Sequence, residues 1–260
     1  LSLPIDEEQL RTEIVARSHQ LSARGWVANH DGNLTARLGG GRTLATPTAV
    51  NKGDVRPEWL IVLDESGKVI SGTRKPFGEL VLHRAAYAAR PDIGVVLHAH
   101  PPHATAFALA GQPIGHPFLA EAVVSLGPEL PQIPYRRPGS EETSRELAAA
   151  LQRADVVILE GHGLLSVGGS FEQAFLRMEL VEHLARLSWL ARPLGGARPL
   201  PEADVRALAE KGRPASAPDW SGGAHGPASS PSLAAGAPPP SPAHRPDVRS
   251  LVEEAMRRAR

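Results

Sequence analysis

Cysteine is absent from the 260-residue chain. That excludes disulfide staples, thiolate metal sites and cysteine nucleophiles, and leaves His with Asp or Glu as the ligand set for any transition metal. Net charge is absent too: 28 Lys+Arg stand against 28 Asp+Glu. No general attraction for nucleic acid or an anionic membrane follows, so small-molecule chemistry is the expectation. No apolar stretch approaches the roughly 18 to 20 residues of a membrane span. The opening Leu1-Ser-Leu-Pro-Ile-Asp-Glu-Glu8 lacks a basic, then apolar, leader pattern, and a cytoplasmic protein is expected.

What the chain does have is length for one well-packed domain with an appendage, rather than two equal domains. It also has eleven histidines. Hydrophobic spacing predicts a helix over Pro4 to Gly25, with Asp6 as cap and Glu7 and Glu8 in its first turn. Asp31-Gly32-Asn33 reads as a turn and Leu34 to Leu38 as a strand. Gly39-Gly40-Gly41 reads as a hairpin tip, and Thr43 to Ala45 as the returning strand, which runs into Thr46-Pro47-Thr48-Ala49. Trp59 to Leu63 and Lys68 to Ser71 read as a further strand pair.

The period then turns helical from Leu80 to Tyr87, closed by Arg90-Pro91. Glu79 is thereby expected in the first turn, where the helix dipole favours a carboxylate whatever else it does. Further on, His103 to Ala110 and Ser140 to Arg153 read as helices, with an irregular stretch containing His116 to Leu119 between them. Val156 to Leu159 is a buried-strand candidate that runs into Glu160-Gly-His-Gly-Leu-Leu-Ser-Val-Gly168. The long helix Ser170 to Ala191 carries an apolar face wide enough to call for core or subunit packing, and a last helix covers Glu202 to Glu210.

Three parts are expected: a catalytic domain over 1–212, a linker over 213–244, and a tail over 245–260. The linker is Pro-, Ala-, Ser- and Gly-rich with almost no large aliphatics, and such a segment buries too little apolar area to offset its ordering entropy. In the tail, Val248, Leu251, Val252, Ala255, Met256 and Ala259 recur at helical spacing with charges on the other face. An amphipathic helix is expected. Glu253, Glu254 and the lack of a large aromatic argue against a membrane-surface helix.

The chemistry gathers on Ile93-Gly-Val-Val-Leu-His-Ala-His100. If the run is a strand, His98 and His100 project from one face as a chelate; the plain alternative is a strand-end pair that only hydrogen-bonds. His162, flanked by Gly161 and Gly163, is a possible third imidazole. Three protein ligands with an open position are the form of a catalytic metal site. Asn33, Thr46 and Thr48 lie in polar turns whose side chains and amides can bind an oxyanion.

Taken in order, Gly32-Asn33, Thr46-Pro47-Thr48, Lys75-Pro76 with Glu79, His98-Ala-His100 and Gly161-His-Gly-Leu-Leu165 make the chain resemble the class II aldolase/adducin family. That family includes fuculose-phosphate and rhamnulose-phosphate aldolases and ribulose-phosphate 4-epimerase. The resemblance spans about residues 7 to 212. It implies an α/β/α sandwich on a central, largely antiparallel sheet, and a homotetramer with the active site at a subunit interface. It implies that His98, His100 and His162 hold a divalent ion, most often Zn2+, that Glu79 is the catalytic acid/base, and that Asn33, Thr46, Thr48 and Gly78 contact substrate. The function implied is cleavage of a ketose or ketose phosphate such as fuculose 1-phosphate.

Departures from the family pattern bear on that substrate. Phe77 and Gly78 replace two phosphate-binding serines, and Ala49 replaces the glycine that follows Thr-Pro-Thr. Phe118, Leu119 and Glu121 stand near where a tyrosine is expected, and no tyrosine follows Tyr135. The linker and tail resemble the encapsulation peptides of bacterial microcompartment enzymes, which implies shell proteins as partners of residues 246–260 and a location inside such a compartment. The rivals are an epimerase, a dehydratase or a decarboxylase on the same metal scaffold, or a non-catalytic, adducin-like interaction protein.

Overall fold

The computed structural model describes residues 6–137 and 140–212; the expectations for the linker and the tail lie outside them. Asp6 begins the first helix, α1 (Glu7–Ala23), by accepting the Glu8 and Gln9 amides, donors that the helix itself cannot satisfy. Gly25, at φ +67°, turns the chain out of the helix.

Eight strands follow: β1 (Asn33–Gly39), β2 (Arg42–Ala45), β3 (Ile61–Leu63), β4 (Val69–Ser71), β5 (Val95–Ala99), β6 (Gln132–Ile133), β7 (Val156–Leu159) and β8 (Gly163–Gly168). They form one sheet in the order β4-β3-β2-β1-β5-β8-β7-β6. Every pairing is antiparallel except β6 with β7. The remaining helices are α2 (Leu80–Ala89), α3 (Pro102–Leu109), α4 (Ala120–Leu126), α5 (Glu141–Leu151), α6 (Phe171–Ala191) and α7 (Glu202–Gly212).

Alternation along the central strands divides the core in two. Leu34, Ala36, Val95, Leu97, Ile158 and Leu164 pack with residues of α1, α3, α4 and α6. Val96, Val157, Leu165 and Val167 pack with Leu82, Ala86 and Tyr87 of α2 and Leu147, Ala150 and Leu151 of α5. Covering both faces of a sheet with helices yields the expected α/β/α sandwich. It also makes the central strands apolar on both sides, so truncation of a residue such as Leu97, fully buried, costs about 2–5 kcal/mol.

Several expectations need correction. Asn33 opens β1 rather than closing a turn, because it pairs with His98 across the sheet. Trp59 ends a short 3-10 helix begun by Pro57, so the third strand starts at Ile61. The stretch after His116 contains α4, whose brevity conceals its period. Within the Gly-rich run after Leu159, Gly163–Gly168 is strand β8, buried throughout, where both-sided burial removes any alternation. Glu79 precedes α2 at the cap position and its side chain makes no capping bond; its carboxylate is turned elsewhere. Among the described residues, no helix is long and apolar enough to cross a membrane.

Candidate metal centre

His98 stands near the end of β5, and its side chain is 1% exposed. Its Nδ1 lies 2.8 Å from the Leu164 carbonyl on the adjacent strand β8. A carbonyl accepts only, so Nδ1 carries the proton and Nε2 presents a lone pair. His100 follows just past the strand end, tied by its amide to the Trp26 carbonyl at 2.8 Å. His162 comes from the β7–β8 turn. Gly163 makes the approach possible, because a Cβ there would stand 2.5 Å from His100 Cδ2 and 2.7 Å from the Ala99 carbonyl.

The three rings converge. His98 Nε2 is 3.1 Å from His100 Nε2 and 3.2 Å from His162 Nε2. One ligand nitrogen from each of the three lies within 4.8 Å of the others. His98 Nε2 has one lone pair and two imidazole neighbours, so it cannot pair with both at once. The donor set is right for a cation of the zinc type. Burial and the neighbouring imidazoles His98 and His162 push His100 down to about 4, which keeps it unprotonated at neutral pH, with a ring lone pair available to a cation.

Glu79 reaches the same point. Its Oε1 is 2.7 Å from His162 Nε2 and 3.5 Å from His98 Nε2, and its Oε2 accepts from Asn33 Nδ2 at 2.5 Å. Burial alone would raise the carboxyl, but its contacts with His162 and His98 hold it well below the usual carboxylate range. Three residues that sequence reasoning passed over surround this group. Asp31 Oδ2 is 3.6 Å from His100 Nδ1. Lys52, 1% exposed, donates to the carbonyls of Val50 at 2.9 Å and His30 at 3.2 Å. It pins the loop that enters β1, and burial pushes it down to about 8 against the pull of Asp31 and Glu79. His83, fully buried on α2, touches Asn33. A lysine in an otherwise polar loop gave no sequence signal, and His83 read as one more helical residue.

The four expected substrate contacts divide. Asn33 is buried with its amide engaged by Glu79 and His83. Thr46 is buried as well, its hydroxyl accepting the Leu34 amide at 3.1 Å. Thr48 and Gly78 are exposed, and the Thr48 amide donates to the Lys75 carbonyl at 3.0 Å, so the two loops adjoin. A concavity of about 630 Å3 bounded by Arg37, Arg42, Asp64, Arg84 and Tyr87 contains none of the three histidines. The converging donor set, not volume, marks the site.

The family model for the Class II Aldolase and Adducin N-terminal domain matches residues 12–189. The chain belongs to the class II aldolase/adducin family. Within it, the chain is 30% identical over 209 residues to the 5-methylthioribulose-1-phosphate/5-deoxyribulose-1-phosphate aldolase of Rhodospirillum rubrum, covering 80% of this chain and 93% of that protein. It is 31% identical over 188 residues to the 3-oxo-tetronate 4-phosphate decarboxylase of Escherichia coli K12, covering 71% and 88%. Among solved structures, YgbL of Klebsiella pneumoniae, a putative aldolase/epimerase/decarboxylase, superposes with a TM-score of 0.72 at 33% identity, covering 78% of this chain and 99% of that one. An L-fuculose 1-phosphate aldolase superposes with a TM-score of 0.73 at 25% identity, covering 79% and 97%. These class II aldolase/adducin relatives include both aldolases and a decarboxylase, all lyases.

Proposed function

We propose that the chain is a metal-dependent aldehyde-lyase that cleaves a ketose or ketose phosphate, such as fuculose 1-phosphate, to a dihydroxyacetone or dihydroxyacetone phosphate unit and an aldehyde. The observation that carries this reading is the convergence of three imidazole nitrogens and one carboxylate oxygen. His98, His100 and His162 hold a divalent ion, Zn2+ in this reading. When bound, the ion supplies Lewis-acid withdrawal of the negative charge that C–C cleavage leaves on the ketose oxygens.

Glu79 handles the proton. Held ionised, it takes the proton of the hydroxyl that becomes the aldehyde, while the C–C bonding pair moves into an enediolate. It then returns that proton to the donor carbon, so atoms and charge balance. Asn33 holds the far carboxylate oxygen. Thr48 and Gly78, exposed on adjoining loops, together with the Thr46 turn, form the side that receives the substrate oxyanion. A second reading, decarboxylation of a 3-oxo acid phosphate, is supported by the 31% identical decarboxylase. The same charge withdrawal serves both reactions, with CO2 rather than an aldehyde departing.

The chain works as a homotetramer in this proposal. The catalytic domain is residues 1–212, joined by the linker 213–244 to a tail that binds microcompartment shell proteins through residues 246–260; the support is the amphipathic spacing of Val248 to Ala259. One experiment decides the chemistry: metal analysis of the purified chain, then product analysis on a panel of ketose phosphates, free ketoses and 3-oxo acid phosphates. Aldehyde release from a ketose supports the aldolase, CO2 release the decarboxylase, and a metal-free, inactive chain sinks both. For the tail, residues 246–260 fused to a fluorescent protein should co-purify with assembled shells, and no enrichment removes that assignment.

A further inference from the structure

Behind Glu79 and Asn33 runs a chain of buried polar groups, Thr35, His83 and Tyr87, that the proposed chemistry does not use. Asn33 and Thr35 stand two apart on β1, so both side chains leave the same face. Opposite them Glu79, His83 and Tyr87 are spaced four apart, Glu79 at the helix entry and the other two on α2, and so share one helical face. The two sets interdigitate. Glu79 Oε2 meets Asn33 Nδ2 at 2.5 Å, Asn33 Oδ1 meets His83 Nε2 at 2.6 Å, His83 Nδ1 meets Thr35 Oγ1 at 2.8 Å, and Thr35 Oγ1 meets the Tyr87 hydroxyl at 3.0 Å. Asn33, Thr35 and His83 are 2%, 0% and 0% exposed, so water does not compete.

Donor and acceptor capacities fix the direction of every bond. An ionised carboxylate only accepts, so Asn33 presents its NH2 to Glu79 and its carbonyl to His83. His83 therefore carries its proton on Nε2, and its Nδ1 accepts from the Thr35 hydroxyl. Thr35 in turn accepts from Tyr87. Phe77 packs edge-on against the His83 ring, with centroids 5.1 Å apart, and closes its remaining side.

We infer that His83 is a positioning residue for the reaction. By donating from Nε2 to Asn33 Oδ1, it holds the Asn33 amide with its NH2 on Glu79 Oε2, which leaves Oε1 aimed at the histidine cluster and the substrate. A strand and a helix thus clamp the carboxylate from behind, and both ring nitrogens of His83 are engaged by Asn33 and Thr35. This inference rests on Glu79 being the acid/base.

The test uses the full-length, metal-loaded protein and the exchange of a carbon-bound proton of dihydroxyacetone phosphate into D2O, a half-reaction that needs no acceptor aldehyde. His83→Leu should lower the exchange kcat at least about tenfold, the scale expected when a reacting group is displaced by a fraction of an ångström to an ångström. KM should stay within about twofold, and bound metal should be unchanged. His83→Gln, which keeps a donor for Asn33, should recover most of the rate. If His83→Leu does not fold, Thr35→Val cuts the chain one bond further back and should show the same split, more weakly. The Asn33 side-chain NH2, followed by 15N NMR, should exchange with solvent faster in His83→Leu than in wild type. Equal exchange kinetics in His83→Leu and wild type, or a His83→Gln protein as impaired as His83→Leu, overturns the inference. Wild-type exchange in Glu79→Gln would instead remove Glu79 as acid/base, and the Asn33 NH2 signal then decides whether the clamp exists.

Discussion

His98 and His83 are equally inaccessible, at 1% and 0% exposure, and both belong to the layer between the sheet and α2, yet their ring nitrogens meet opposite surroundings. Both nitrogens of His83 end on single neutral partners, Asn33 and Thr35. His98 satisfies Nδ1 on the Leu164 carbonyl, but its Nε2 faces two other imidazole nitrogens. The first set is closed and holds a shape. The second is open and asks for a cation. Burial by itself does not separate a structural histidine from a ligand; the count of unspent lone pairs does.

The most severe way to break the comparison is His98→Ala. Metal should be lost and proton exchange of dihydroxyacetone phosphate should fall about 10³-fold or more, since several kcal/mol of charge stabilisation leaves with the ion. Elemental analysis and the exchange rate check it, and a variant that keeps both would refute the ligand assignment.

Acid tests the closed set next. Burial pushes His83 down to about 3 from an ordinary 6.5. The unfolded chain therefore takes up a proton below about pH 6.5 that the folded protein refuses until about pH 3. Stability from this group is complete above pH 6.5 and is lost as pH falls, by about 2 kcal/mol between pH 6.5 and pH 5. Urea unfolding at the two values, repeated on His83→Gln, should show that share of the pH dependence removed.

Smaller changes sharpen the contrast. Asp31→Asn weakens the long contact to His100 Nδ1 and should loosen metal retention by less than about tenfold, at the weak end of what partners of metal-bound histidines contribute. Competition with a chelator measures it. Tyr87→Phe removes the far hydroxyl of the closed chain, with its contacts to Thr35 and the Gly94 carbonyl, which should cost about 1 kcal/mol of stability with metal content unchanged; thermal unfolding and elemental analysis are the readouts.

Most of the site's first members were legible in the chain. His98 and His100 share a strand face by simple alternation, and Gly161-His162-Gly163 shows a histidine in a turn with room around it. The order of motifs carried the family. Asn33, Thr46 and Thr48 read as polar turn residues, and with Gly78 they were implied as substrate contacts by the family resemblance, but the division among them was not legible. Asn33 and Thr46 spend their side chains on protein, while Thr48 and Gly78 are exposed. Strand β8 and helix α4 were illegible for lack of period, one buried on both sides and the other only seven residues long.

By itself the sequence limited the donors for any transition metal to His, Asp and Glu, through the absence of cysteine, and placed most strands and helices through their periods, while the layered architecture came with the family resemblance. Only the tertiary structure decided which polar residues meet. Asn33 and Thr35 on one strand, and Glu79, His83 and Tyr87 along α2, are separated by more than forty residues of chain. Local periodicity orients each set within its own element but says nothing of the partner across the layer. The packing of α2 on β1 brings them within hydrogen-bond distance, and a buried amide or imidazole then has to take the partner it finds.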